Sequence, residues 1–183
     1  TIRTKAKATI TAQPKRVLIP LNSYAPCPSI NSATAQVDAT NEGIVMQFTL
    51  RGALDCLELE SGPACCRADS LWRHTCFETF FHTGAGGYIE ANVTARGAWN
   101  LYRFSGYRHG MREVFSVRPK VTFARADNQA TLTASWSAIP RGTLIKPAMI
   151  LAERDTRHYF APEHGVGAPD FHSATGLWSW ETT

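Results

Sequence analysis

The stretch Leu71–Arg112, LWRHTCFETFFHTGAGGYIEANVTARGAWNLYRFSGYRHGMR, decides the fold. Residues Cys76–Phe81, Tyr88–Thr94 and Ala98–Phe104 each alternate with period two. Successive side chains of a β-strand point to opposite faces, so this period predicts strands. Between the first two, His82–Gly87 (HTGAGG) carries enough glycine for a positive-φ turn. Ala95-Arg96-Gly97 is short enough to close a hairpin between the second and third.

The alternation sorts polar side chains onto faces. Cys76, Glu78 and Phe80 share one face, opposite Thr75, Phe77, Thr79 and Phe81. In the next strand Glu90, Asn92 and Thr94 lie opposite Ile89, Ala91 and Val93. Asn100 and Tyr102 share a face of the third, opposite Leu101 and Arg103. If the first two strands pair, Glu78 lies beside Glu90 or Asn92 on one sheet surface.

Outward from this block the same period continues. Ile44, Met46, Phe48 and Leu50 alternate with Val45, Gln47, Thr49 and Arg51, and Leu132, Ala134 and Trp136 with Thr131, Thr133 and Ser135. Val121–Phe123, Leu144–Ala152, His158–Ala161 and Gly176–Trp180 complete the expected strands, and Ser61–Ser70 reads as loop. Pro14, Pro20, Pro26 and Pro28 make residues 1–30 an extended N-terminal arm, with one strand near Arg16–Leu21. No amphipathic window of ten residues escapes glycine, proline or a β-branched run. Short strands with turn signals every 8–12 residues predict an all-β sandwich or barrel. The expectation is one domain over residues 1–183.

Composition bounds the function. A hydrophobic fraction of 44% with 19% charged residues excludes disorder. The net charge of +4 is scattered, with no run of five basic residues, so nucleic acid is not an expected partner. No apolar run approaches the ~18 residues that span a bilayer, so neither is a membrane. The five cysteines (Cys27, Cys56, Cys65, Cys66 and Cys76) are odd in number and lack metal spacing. Together with the lack of a signal-like opening segment, they set a cytoplasmic location as the expectation. Oligomeric state is left open.

Taken in order, LWRHTCFETF, GYIEANVTARGAWNLYRFSGYRHGM, AERDTRHYFAP and APDFH resemble the bacterial DOMON-like domains, which are grouped with family 9 carbohydrate-binding modules. The shared pattern is a Trp before a (T/S)CFE-F strand, an E-x-N-x-(S/T)-x-x-G-x-W-x-x-Y hairpin, a Y-R pair and a late P-D-F-H. It runs from Leu71 to His172, more than half the chain. The resemblance implies a two-sheet antiparallel β-sandwich of jelly-roll type that binds sugars or, in other branches, haem. Two features depart from the pattern: P-D-F-H runs into Ser173-Ala174, and Cys65–Cys66 has no counterpart.

The expected partner is a small sugar-like molecule or a sugar-derived anion. Carboxylates and amides pair with hydroxyls, and an indole face covers the apolar side of a pyranose. Glu78, Glu90, Asn92 and Tyr102 are the polar candidates, and Trp72 and Trp99 the platforms, with Trp178 and Trp180 behind them. His74, Asp170 and His172 join the candidate set, the last two as a carboxylate-positioned imidazole. Arg112, with Arg108, offers a fork for an anion, or else neutralises Glu90, Glu113 or Glu153. Six histidines show neither H-x-x-x-H nor C-x-x-C-H spacing, so no metal and no cofactor is expected. Two alternatives stay open: an enzyme with an acid–base site at Glu78, Glu90 and His172, and a haem domain pairing Met111 with a histidine.

Overall fold

The computed structural model describes residues 15–40, 43–83, 86–137 and 144–179. They form two antiparallel sheets, and no α-helix occurs among them. In chain order the strands are β1 (Lys15–Pro20), β2 (Asn22–Ser23), β3 (Ile30–Thr40), β4 (Gly43–Gly52), β5 (Cys76–His82), β6 (Tyr88–Val93), β7 (Trp99–Phe104), β8 (Arg112–Glu113), β9 (Lys120–Ala126), β10 (Gln129–Trp136), β11 (Leu144–Glu153), β12 (Thr156–Ala161) and β13 (Trp178–Ser179). A five-stranded sheet runs β1-β3-β4-β10-β9. The larger sheet runs β2-β12-β11-β5-β6-β7-β8, and β13 pairs with the first residues of β11.

The inward face of each strand is the apolar parity of its sequence. Ile44, Met46, Phe48 and Leu50 meet Phe77, Phe81, Ile89, Ala91, Val93 and Leu101 in one buried cluster. Phe48 lies 5.5 Å from Phe77 and Phe81 lies 5.9 Å from Trp136, so aromatic pairs tie the sheets together. This is the expected β-sandwich.

Two expectations about the N-terminal third change. The predicted arm is partly woven into the sandwich: β1 pairs with β3 in one sheet and β2 with β12 in the other. Residues 1–14 lie outside the described residues. The eleven-residue strand β3 had no predicted counterpart. Its inward side chains are Ala33, Ala35 and Val37, small groups that give the alternation little hydrophobic contrast.

The outer face of the larger sheet is also covered. A second apolar cluster, including Leu71, Phe80, Tyr88, Tyr102, Phe104, Ile150 and Phe171, lies there. Its cover comes from the loops before β5, after β7 and before β13. A sheet buried on both faces explains why β5 and β6 are buried at almost every position, carboxylates included.

Candidate functional site

Strand register lays out the floor of the site. Ala148, Glu78, Asn92 and Asn100 form one row across β11, β5, β6 and β7. Lys146, Phe80, Glu90 and Tyr102 form the next row. Glu78 is therefore directly opposite Asn92 and diagonal to Glu90. Above this floor is a cleft of about 460 Å³, lined by Trp72, Glu78, Glu90, Phe104, Arg108, Met111, Ile150, Tyr159, Pro169, Phe171 and His172. Its size suits a small ligand.

Both carboxyls sit deep, Glu78 at 3% exposure and Glu90 at 4%. Burial pushes the Glu78 carboxyl well above the ordinary carboxylate value, and the neighbouring Glu90 pushes it further. Burial likewise raises Glu90, to about 7, against the opposing hydrogen bond from Asn92 and the field of Arg108. Asn92 Nδ2 donates to Glu90 Oε1 at 2.8 Å. Both carboxyls are thus harder to ionise than an ordinary glutamate, and Glu90 titrates near neutral pH.

His172 is fixed from both sides. The Tyr88 hydroxyl lies 2.7 Å from its Nδ1 and accepts the Arg108 backbone N–H at 3.2 Å. With the phenolic proton given to Nδ1, the imidazole proton sits on Nε2, which faces Glu90 Oε2 at 3.8 Å. Desolvation, then the Arg108 charge, lowers His172 to about 4, so the ring is neutral. Phe80 and Phe104 meet it edge-on at 5.3 and 5.2 Å. Tyr88→Phe is expected to cost about 1 kcal/mol in urea unfolding, because the half-buried His172 ring and the Arg108 N–H lose their partner. An unchanged unfolding midpoint would mean that this bond does not form in solution.

The rim is an ion-pair latch. Asp170 accepts from Arg108 Nη2 at 2.9 Å, from the Tyr107 hydroxyl at 2.7 Å and from the His172 N–H at 3.1 Å. Burial pushes the Asp170 carboxyl up, but the Tyr107 and Arg108 hydrogen bonds outweigh it and hold the group below its ordinary value. Behind the latch Lys146 is wholly buried. Its ammonium donates to Ser173 O at 3.1 Å, Ser173 Oγ at 3.3 Å and Asp170 O at 3.4 Å.

Of the residues expected at the site, Trp72, Glu78, Glu90 and His172 line the cleft. Asn92 supports Glu90 from the floor, and Asp170 holds the rim. Tyr102 stands beside the cleft: its hydroxyl donates to Asp69 Oδ1 at 2.5 Å, and its ring meets Trp72 edge-on at 5.8 Å. That bond to Tyr102 is the main reason Asp69 is held below the ordinary carboxylate value.

Three placements differ from expectation. Trp99 begins β7 on the inward parity and belongs to the inter-sheet core. His74 follows the single-turn 3-10 segment Leu71–Arg73, which breaks the alternation that would have kept it on the side of Trp72. It lines a separate polar hollow with Glu58, Arg73, Arg154, Asp155 and Arg157. Arg112 pairs with Arg103 in the short strand β8 and is exposed. Arg108 takes the cleft position instead, in a left-handed turn with φ 50°. Trp178 packs against the inter-sheet core, and Trp180 lies outside the described residues.

Ile150, Tyr159, Phe171 and Lys146 were not expected at the site. The first two sit in register across β11 and β12, so alternation already placed them on one face. Phe171 stands inside the P-D-F-H motif, and Lys146 is a lone charge in an apolar strand.

Met111 and His172 both line the cleft, but His172 is engaged by Tyr88 at Nδ1 and turned to Glu90 at Nε2. A porphyrin ring would also bury two carboxyls under an apolar face. Among the described residues, no three His, Cys, Asp or Glu side chains are grouped to hold a metal ion.

No protein-family model matches the chain, and no curated protein matches it in sequence. Among solved structures the fold is similar to that of a Bacteroides uniformis protein provisionally named carbohydrate-binding. The TM-score is 0.62 at 11% identity, covering 88% of this chain and 84% of that one. At that identity the likeness shows a shared β-sandwich architecture.

Proposed function

We propose that the outer-face cleft binds a small sugar-like molecule without transforming it. The observation that carries this reading is the convergence of Glu78, Glu90 and the His172 Nε2 edge beneath the rings of Trp72, Phe104, Tyr159 and Phe171. Such a floor donates to and accepts from adjacent hydroxyls, while the rings cover the C–H face of a pyranose. The provisional name of the structurally similar B. uniformis protein supports the same ligand class. The narrower assignment to the DOMON-like domains rests on the motif set from Leu71 to His172 and belongs to this proposal.

Calorimetric titration against a panel of mono- and disaccharides tests the reading. Saturable binding is expected, weakened about tenfold or more by Trp72→Ala, which removes a wall of the cleft. A panel without a binder counts against it, as does a binder indifferent to Trp72→Ala.

One observation favours a second, catalytic reading. Two buried carboxyls open onto one cleft, Glu78 pushed well above the ordinary value and Glu90 to about 7, and such an environment suits a general acid beside a general base. This reading predicts turnover of a chromogenic glycoside that Glu78→Gln abolishes. No release of chromophore across glycoside classes leaves the binding reading alone.

A further inference from the structure

We infer, building on the sugar-binding reading, that the ligand of this cleft carries a cationic amine held by Glu78 and Glu90. Titratable groups reach the floor from every element packed against it. Strand β5 contributes Cys76, Glu78 and His82, which stacks on Tyr88, β6 contributes Tyr88 and Glu90, and β7 contributes Tyr102. Lys146 comes from β11 and Tyr159 from β12. The covering loops add Asp69, Arg108, Asp170 and His172, together with Arg67, which donates to Asn100 at 2.9 Å and lies 3.6 Å from Glu113.

The cations in this set are already committed. Arg108 is 2.9 Å from Asp170, and the two compensate each other. The Lys146 ammonium spends its donors on Ser173 and the Asp170 carbonyl. His172 is held neutral. Glu90 has one amide donor, from Asn92. Glu78 faces the cleft at 3% exposure, makes no ion pair among the described residues, and has only the Cys76 thiol as a side-chain partner. Two buried carboxyls therefore open onto one cavity without a matching cation.

The identity of these side chains narrows the ligand. Two carboxyls whose ionisation burial opposes offer a neutral hydroxyl little that two glutamines would not. Carboxyls can also surrender their protons to a cation and become carboxylates. An ammonium supplies that cation and several N–H donors. The surrounding rings of Trp72, Phe104, Tyr159 and Phe171 favour it further, since aromatic faces attract cations. A sugar acid would place a like charge against both carboxyls. Ammonium binding also drives protons off the floor. Affinity therefore rises with pH through Glu90's value of about 7, up to the point where the amine itself deprotonates.

Glucosamine, glucose and glucuronate form a charge series on one ring. Titration by calorimetry at pH 6.5, in two buffers of different ionisation heat, separates the outcomes. Glucosamine is expected to bind about tenfold or more tighter than glucose, with net proton release to buffer. Glu78→Gln and Glu90→Gln should each shrink that preference while keeping the fold, since glutamine fills the same space. Glucose or glucuronate binding as tightly as glucosamine overturns the amine and leaves the sugar reading standing. If none of the three binds, titration of ethanolamine decides. Its binding, lost in Glu78→Gln, upholds the amine and overturns the sugar reading, whereas its failure overturns both.

Discussion

Glu78→Gln is expected to stabilise the fold while weakening ligand binding. A carboxyl 3% exposed and without a cationic partner is a liability wherever it must ionise. Glutamine keeps the shape and removes the charge, so a gain of about 1–3 kcal/mol at pH 8 is expected in denaturant unfolding. The pH dependence follows from the same groups. Glu90 has a folded value of about 7 against an ordinary 4.5, so between these values the folded state holds the extra proton. Its contribution is present at low pH and is lost as pH rises through 7, about 3 kcal/mol in all. Glu78, shifted in the same direction, adds to this loss.

His172 acts oppositely. Its folded value of about 4 lies below the ordinary 6.5, so its contribution is lost as pH falls from 6.5 towards 4. The two slopes nearly cancel between pH 4.5 and 6.5, so stability should be flat or gently falling there and decline from pH 6.5 towards 8. The Glu78→Gln/Glu90→Gln pair should flatten the decline. A wild-type profile that is level between pH 6.5 and 8 would show that these carboxyls are not held protonated by the fold.

Lys146→Ala is the most damaging single change expected at the site, at about 3–5 kcal/mol in unfolding free energy. It removes a wholly buried side chain and takes the ammonium from Ser173 O and from Asp170 O, which keeps only the Ser173 hydroxyl, so the loop carrying His172 loses its anchor. Lys146→Met refills the volume without the donors, so it should cost far less in stability yet still loosen the loop. Ligand affinity, rather than the unfolding midpoint, is the measurement that separates the two variants from simple cavity formation. Burial lowers the Lys146 amine to about 8 from 10.5, so the unfolded chain holds the extra proton between those values. Stability therefore rises with pH across that window, by about 3 kcal/mol, and Lys146→Met should abolish the rise. A methionine variant that binds as the wild type does would remove Lys146 from the account of the site.

The fold was legible where side-chain contrast is strong. Glu78 and Phe77, or Asn92 and Val93, differ so much in polarity that alternation alone assigned each to its correct face. In β3 the contrast is between alanine and threonine or glutamine, and the strand went unread. At the site, the floor residues were legible because strand parity is local information. The cover was not. Arg108, Met111 and Phe171 reach the cleft through loops whose path depends on a left-handed turn and on hydrogen bonds made across distant parts of the chain. The exchange of Arg112 for Arg108 shows the limit well, since both are arginines a few residues apart and only the turn selects one. Trp99 shows the converse: a platform residue by type, but inward by parity, one position from Asn100.

A ligand of this protein is expected in the outer-face cleft. Backbone amide shifts followed by NMR, as the tightest-binding saccharide or amino sugar is titrated in, locate it directly. The account predicts saturable shifts clustered at Glu78, Glu90, Arg108 and Phe171–Ser173, around the outer-face cleft. Shifts confined to β1, β3 or β9, or to the hollow around Arg73 and Arg157, would contradict it.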